Sequence, residues 1–327
     1  MFRTGKVLSL TLSAVLAASI FTGCADTSAA KKDGKISIVC TTFSEYDWTR
    51  NIIGDSDTAE VTYLLGSGVD LHNYQPTAQD ILTISSCDLL MYIGGESESW
   101  VEDTLQDALN KDMKVLKLFD VLGQSVKEEE LKEGMEPEEE EEGSEEEEPE
   151  YDEHIWLSIK NAEVICEAIC DSICEKDSAN ADKYRANLKA YEAELKKLDE
   201  GFSEMADSAK TKTLLFGDRF PFRYLVDDYK IDYYAAFAGC SAETAASFET
   251  IATLADKVNE LGLDTVFIIE NSDDSIARSI IANSKKKDIN IEKLNSLQSV
   301  TKNDINGGAS YISLMNENLE TLKRVLD

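Results

Sequence analysis

The chain reads as an α/β protein: two lobes of parallel sheet flanked by helices and joined by one long rigid α-helix. Three observations predict this. Short β-branched and apolar runs alternate with helical patterns from residue 36 to 126, as parallel strands covered by crossover helices require. The same alternation restarts after residue 212. Between the two, Tyr184, Leu188, Tyr191, Leu195, Leu198, Phe202 and Met205 recur at spacings of 4, 3, 4, 3, 4 and 3, with charged residues among them. That is one sustained helical stripe. A helix of ~28 residues within 178–211 would be ~42 Å long, the length of a whole domain. Its narrow apolar seam suits a helix lying along a surface, and a coiled-coil dimer is the alternative.

In the first lobe, 36–126, strands are predicted at 36–42, 60–65, 89–93 and 114–118, with helices at 43–53, 77–86 and 99–110. An Ile/Cys-rich helix from about residue 159 completes this lobe over 154–177. Cys166, Cys170 and Cys174 lie on one stripe beside Ile165, Ile169 and Ile173. Cβ atoms four residues apart on a helix are ~6 Å from one another, too far for a disulfide. These thiols are read as small buried apolar groups. In the second lobe, 212–327, strands are predicted at 214–216, 233–237, 265–270 and 289–294. Helices fill 219–228, 247–261, 274–284 and 312–325.

Composition narrows the function. Of 327 residues 43% are hydrophobic, enough for a sizeable core. Lys and Arg total 32 against 64 Asp and Glu, a net charge of −32, which repels phosphate backbones and excludes nucleic acid as a partner. Residues 127–153 hold sixteen Glu and one Asp against two Lys, a net of −15. Such a run repels itself and is expected to be a disordered, solvated loop. At the amino end, Arg3 and Lys6 precede 15 uncharged residues, 7–21, too few for a membrane span of about 20. Residues 1–24 read as a secretory signal. Phe21-Thr22-Gly23-Cys24 resembles a lipobox, with Cys24 as the lipid anchor and residues 25–35 as a flexible tether. The mature chain is expected on the outer face of the cell membrane, held by lipid.

In open α/β sheets ligands bind beyond the carboxyl ends of the strands. His72 lies in such a loop, in Gly68-Val69-Asp70-Leu71-His72-Asn73-Tyr74-Gln75-Pro76-Thr77. The one other histidine of the chain, His154, opens His154-Ile155-Trp156-Leu157. Gly217 and Asp218 follow the first strand of the second lobe, Glu270 ends its third strand and Asn295 its fourth, and Glu243 is a further carboxylate of that lobe.

The runs GVDLHNYQPT, YIGGESESWVEDTL and HIWLSIKNA resemble the substrate-binding lipoproteins of bacterial ABC importers for zinc and manganese, over essentially the whole chain after the tether. The resemblance implies that His72 and His154 are metal ligands. It also implies a third ligand, His or Glu, after the first strand of the second lobe and an Asp near the last strand. This chain departs at both: Gly217 stands at the third position and Asn295 at the fourth. Asp218 is the expected substitute, with Asn295 as a weak oxygen donor and Glu243 and Glu270 as further candidates. Two neutral imidazoles with one or two carboxylates suit Zn²⁺, and more oxygen donors would admit Mn²⁺ or Fe²⁺. The implied function is capture of a divalent metal, zinc first, for delivery to the membrane permease of an ABC importer by a monomeric, non-enzymatic lipoprotein. Neither HExxH nor GxSxG occurs. The alternative is a metal-free solute-binding or adhesin-like lipoprotein of the same fold.

Overall fold

A computed structural model describes residues 34–136, 150–241 and 245–327. The leader with Cys24, the tether up to residue 33, the centre of the acidic segment and Glu243 lie outside the described residues. The first lobe is built from β1 Ile36–Cys40, α1 Phe43–Ile53, β2 Ala59–Tyr63, α2 Ala78–Ser86, β3 Leu89–Tyr92, α3 Ser99–Gln106, β4 Lys114–Lys117 and α4 Leu118–Leu122. Helices α5 Ile159–Lys176 and α6 Ala181–Ser208 follow. The second lobe holds β5 Thr213–Arg219, α7 Arg223–Tyr229, β6 Asp232–Phe237, α8 Phe248–Leu261, β7 Thr265–Ile269, α9 Ser275–Asn283, β8 Asn290–Leu294, α10 Lys302–Asn306 and α11 Tyr311–Leu326.

Both sheets are parallel and share one topology, β2-β1-β3-β4 and β6-β5-β7-β8. In each, the first strand sits between the second and the third. Loops leaving its carboxyl end and those of its neighbours turn to opposite sides and leave a crevice there. The two crevices receive the loops discussed below.

The elements differ from the sequence pattern in two instructive places. β5 continues to Arg219 and α7 starts only at Arg223, because Pro221 keeps the residue before it out of helical geometry. The short α10 escapes the periodicity argument, being a single turn closed by a capping box between Thr301 and Asp304.

Helix α6 carries the predicted stripe. Tyr184, Tyr191, Leu195, Leu198, Phe202 and Met205 are buried, and the helix packs against α1 and α5 of one lobe and α11 of the other. The seam is therefore consumed inside the chain, and the coiled-coil alternative loses its surface. Cys166, Cys170 and Cys174 are buried on α5 as expected.

The lobes are joined by more than this helix. One apolar core includes Ile38 and Met91 of the first sheet together with Leu214, Phe216 and Leu294 of the second. Trp156 Nε1 donates to the Ser296 carbonyl at 2.9 Å, and the Tyr311 hydroxyl donates to the Trp156 carbonyl at 2.7 Å. Tyr63 reaches the Val300 carbonyl at 2.9 Å. Buried bonds of this kind are costly to leave unmade.

The acidic segment is narrower than its composition suggests. Glu128 pairs with Tyr151 as an antiparallel bridge, and the Glu129 N–H donates to the Glu150 carbonyl at 2.9 Å. Residues 132–136 then cross to the second lobe: Lys132 pairs with Asp232, Glu133 with Lys257, and the Glu136 N–H donates to the Ala236 carbonyl. At the other end Asp152 and Glu153 are 3% and 2% exposed. The expectation of a loose loop over 127–153 is thus corrected at both ends, because the carboxylates there find lysines, backbone N–H groups and the site itself.

A ~28-residue helix without proline, packed across both lobes, resists bending. Distances measured between labels at Gln79 on α2 and Ser279 on α9 should change by no more than a few ångströms when zinc is added. A closure of ten ångströms or more would refute the rigid arrangement.

Candidate metal centre

The first lobe supplies both imidazoles. His72 lies in a 3-10 turn, Leu71–Asn73, whose capping residue Asp70 accepts the His72 N–H at 3.1 Å. His154 opens a second such turn, Ile155–Leu157, and is fully buried. Their Nε2 atoms stand 3.2 Å apart. Each ring is held from behind. Asp152 Oδ1 meets Nδ1 of His154 at 2.9 Å and accepts its backbone N–H at 2.8 Å. Nδ1 of His72 lies 2.8 Å from Ser97 Oγ and 3.6 Å from Glu153 Oε2. Glu153 Oε1 in turn accepts the Ser97 N–H at 2.8 Å.

A carboxylate only accepts, so the proton of His154 belongs on Nδ1 and its lone pair on Nε2. Nδ1 of His72 faces the Ser97 hydroxyl, and the two Nε2 atoms lie 3.2 Å apart, a separation that a shared proton or a bound cation accommodates. Two nitrogens bound tetrahedrally at the usual 2.0–2.1 Å from zinc stand ~3.3 Å apart. Burial, the neighbouring His154 and the Arg219 guanidinium hold His72 well below its ordinary pKa, keeping it neutral and ready to ligate.

The second lobe closes the site. Arg219, the last residue of β5, forms an ion pair with Asp70, tying the His72 turn across the cleft. The loop after β6 brings Gly239 against the His154 ring, where any Cβ would lie 3.1 Å from Nδ1 and Cε1. The next residue is Cys240. His72, His154 and Cys240 form the one group of three or more His, Cys, Asp or Glu donors among the described residues with metal-binding spacing, their ligand atoms all within 4.8 Å of one another. Burial, followed by Asp152, Glu129 and Glu153, pushes the Cys240 thiol well up. A bound cation inverts that balance.

The remaining expected ligands are engaged elsewhere. Asp218 accepts the Arg219 N–H at 2.9 Å and the Ile269 N–H at 3.2 Å, so its carboxylate fastens β5 to β7. Glu270 uses both oxygens on the N–H and hydroxyl of Ser296 at 2.8 and 2.9 Å. Asn295 Oδ1 accepts the Leu297 N–H at 2.8 Å, a local turn. Gly217 faces away from a ligand position: a Cβ there would meet the α9 backbone, 2.6 Å from Ala277 Cα. Glycine lets that helix approach, and a histidine introduced at 217 would have to displace it. The two histidines singled out from the sequence come together here, the carboxylates expected beside them hold other hydrogen bonds, and Cys240, which the sequence reading did not single out, joins the pair. The available signal was its position in Phe237-Ala238-Gly239-Cys240, directly beyond a strand's carboxyl end.

Two similar sheets, a stiff connection and converging donors between them define a two-lobed binding protein with its site in the cleft. The chain belongs to the family described as zinc-uptake complex component A, periplasmic, whose model matches residues 38–325. It is 31% identical over 329 residues to the zinc-binding lipoprotein AdcA of Streptococcus pneumoniae, covering 98% of this chain and 61% of that protein. It is 29% identical over 298 residues to the high-affinity zinc uptake system protein ZnuA of Bacillus subtilis, covering 90% of this chain and 89% of that one. Among solved structures, the Zn(II)-bound ZnuA-like domain of the pneumococcal AdcA superposes with a TM-score of 0.69 at 29% identity, covering 90% of this chain and all of that domain. A laminin-binding adhesin of Streptococcus agalactiae, at 22% identity and a TM-score of 0.72 over 89% of this chain, shares the fold.

Beneath the site lie three buried carboxyls, Glu153, Glu98 and Glu45, each with one oxygen unpartnered. Burial raises all three, and the repulsion of Glu98 adds to it at Glu45. For Glu98 the folded pKa exceeds the unfolded one. Its stabilising contribution is complete below the ordinary carboxylate pKa and is lost as pH rises towards neutrality. His72, shifted down, acts oppositely, losing stability as pH falls, but equally in any Glu98 variant. In metal-free protein, Glu98→Gln should therefore gain on the wild type between pH 5 and pH 8, on the order of 2 kcal/mol or a few degrees of melting temperature. A melting difference that is flat with pH would contradict the burial of an ionisable group at 98.

Proposed function

We propose that this chain captures one zinc ion between its lobes and delivers it to the membrane permease of an ABC importer, acting as a binding protein without a catalytic step. The observation that carries the reading is the pair of Nε2 atoms 3.2 Å apart, each ring fixed through its Nδ1. Such backing groups set the tautomer and raise the ligand's basicity. Family membership supports zinc as the cargo, and the AdcA and ZnuA relatives are named for zinc. This chain spans about three fifths of the length of the AdcA relative.

The chain is further proposed to be monomeric and held on the outer face of the cell membrane by lipid on Cys24. Among the described residues no helix is long and apolar enough to cross a membrane. Metal binding would order the loops that carry His72, His154 and the strap from Glu129 to Glu136, and the permease would read that local change. In this reading the acidic residues 137–149 attract divalent cations generally and are no part of the tight site.

Calorimetry of the full chain in detergent should give one tight zinc per molecule. His72→Ala and His154→Ala should each weaken it by about 100-fold or more, given that even second-layer partners are worth 10–100-fold. Asp152→Asn should fall in that 10–100-fold range, and deletion of residues 137–149 should leave the tight site intact. Absence of saturable heat with zinc, manganese or iron would favour a metal-free binding protein of this fold instead.

A further inference from the structure

We propose that Cys240 supplies the third protein ligand as a thiolate, making a two-histidine, one-cysteine centre that selects zinc over manganese; this rests on the metal-binding reading above. Four facts carry it. The positions in the second lobe that the family resemblance marks are closed to metal: Gly217 abuts α9, and Asn295 is spent on a turn. Of the nearby carboxylates, Asp218 holds two backbone N–H groups, one on each oxygen, and Glu270 holds the N–H and hydroxyl of Ser296. Among the described residues Cys240 alone joins the two imidazoles, with all three ligand atoms within 4.8 Å of one another. Among the described cysteines it is also the one that keeps some exposure as a residue, while Cys40, Cys87, Cys166, Cys170 and Cys174 are buried.

Its placement is built rather than incidental. Glu129 Oε1 accepts the Cys240 N–H at 2.9 Å, so the acidic strap fixes the loop that carries the thiol. Gly239 allows that loop to lie on the His154 ring. In a tetrahedral zinc site with Zn–S near 2.3 Å and Zn–N near 2.0–2.1 Å, nitrogen and sulfur stand ~3.6 Å apart. Drawing Cys240 Sγ in from within 4.8 Å therefore takes about an ångström of loop or side-chain movement. Two imidazoles and a thiolate leave a fourth position for water or a ligand atom supplied on transfer. The donor set also decides the cargo. Thiolate favours zinc, whereas manganese prefers carboxylate, carbonyl and water oxygens. A carboxylate third ligand would have left the two metals less well separated.

The test uses Co²⁺ as a spectroscopic stand-in for zinc, with the full chain in detergent. The wild type should show tetrahedral visible bands together with an intense near-ultraviolet thiolate-to-cobalt band. Cys240→Ser should lose the near-ultraviolet band, retain weakened visible bands and bind zinc about 100-fold less tightly. Cys240→Asp should narrow the preference for zinc over Mn²⁺ by at least tenfold in competition titrations. Visible bands without the thiolate band in the wild type would overturn this proposal and leave the two-histidine metal site standing. Retention of the band in Cys240→Ser would likewise overturn it by assigning the sulfur to another cysteine. No cobalt or zinc binding by the wild type would overturn the metal reading together with this one. The wild-type spectrum decides even if a variant fails to fold.

Discussion

Two imidazoles held with their Nε2 atoms 3.2 Å apart are the constraint around which this molecule is arranged. Free imidazoles would turn away or share a proton. Here His72 is pinned through Asp70 and Ser97, and His154 through Asp152, while burial and a neighbouring guanidinium keep His72 uncharged. The folded chain has thereby met in advance the cost of bringing the two rings together. Preorganisation of this kind reduces the ordering cost on binding.

The same constraint explains features that look unrelated to metal. Glu153 is buried although it is a carboxylate, because Ser97 needs an acceptor to hold it behind His72. Asp70 works in two directions, capping the His72 turn and pairing with Arg219 across the cleft. The hydroxyl of Tyr224 donates to the Asp152 carbonyl at 2.8 Å, and the Lys127 N–H donates to the same hydroxyl. The residue behind His154 is thereby fastened to α7 and to the root of the acidic strap. Each lobe thus holds part of the other's site, which is consistent with a shared core and a single stiff helix rather than a wide hinge.

Position in the fold mattered more than residue type in deciding which carboxylates could serve. Asp218, Glu270 and Asn295 all sit at strand ends, where a ligand is expected, but strand ends also leave backbone N–H groups unpaired. Those N–H groups captured the side-chain oxygens first. At Cys240 the backbone N–H is taken by Glu129 and the Glu153 backbone N–H reaches the thiol, but a thiol is a weak acceptor and is held less firmly than a carboxylate.

The two-lobed α/β plan, the long helix, the buried cysteine stripe and both histidines of the candidate site could be read from the sequence alone. Each is written in a local signal: alternation of strand and helix periods, a 4-3 spacing over seven residues, or a histidine within a recognisable run. Which groups complete the site could not be read in that way. Local sequence records neither which backbone N–H a carboxylate at a strand end will face nor that α9 fills the space beside Gly217. It is equally silent on the acidic strap, which crosses to the second lobe and sets Cys240 opposite the histidines. Those outcomes depend on groups from β5, β6, β7 and α9 meeting residues as far as 149 positions away in the chain, so only the packed tertiary structure decides them.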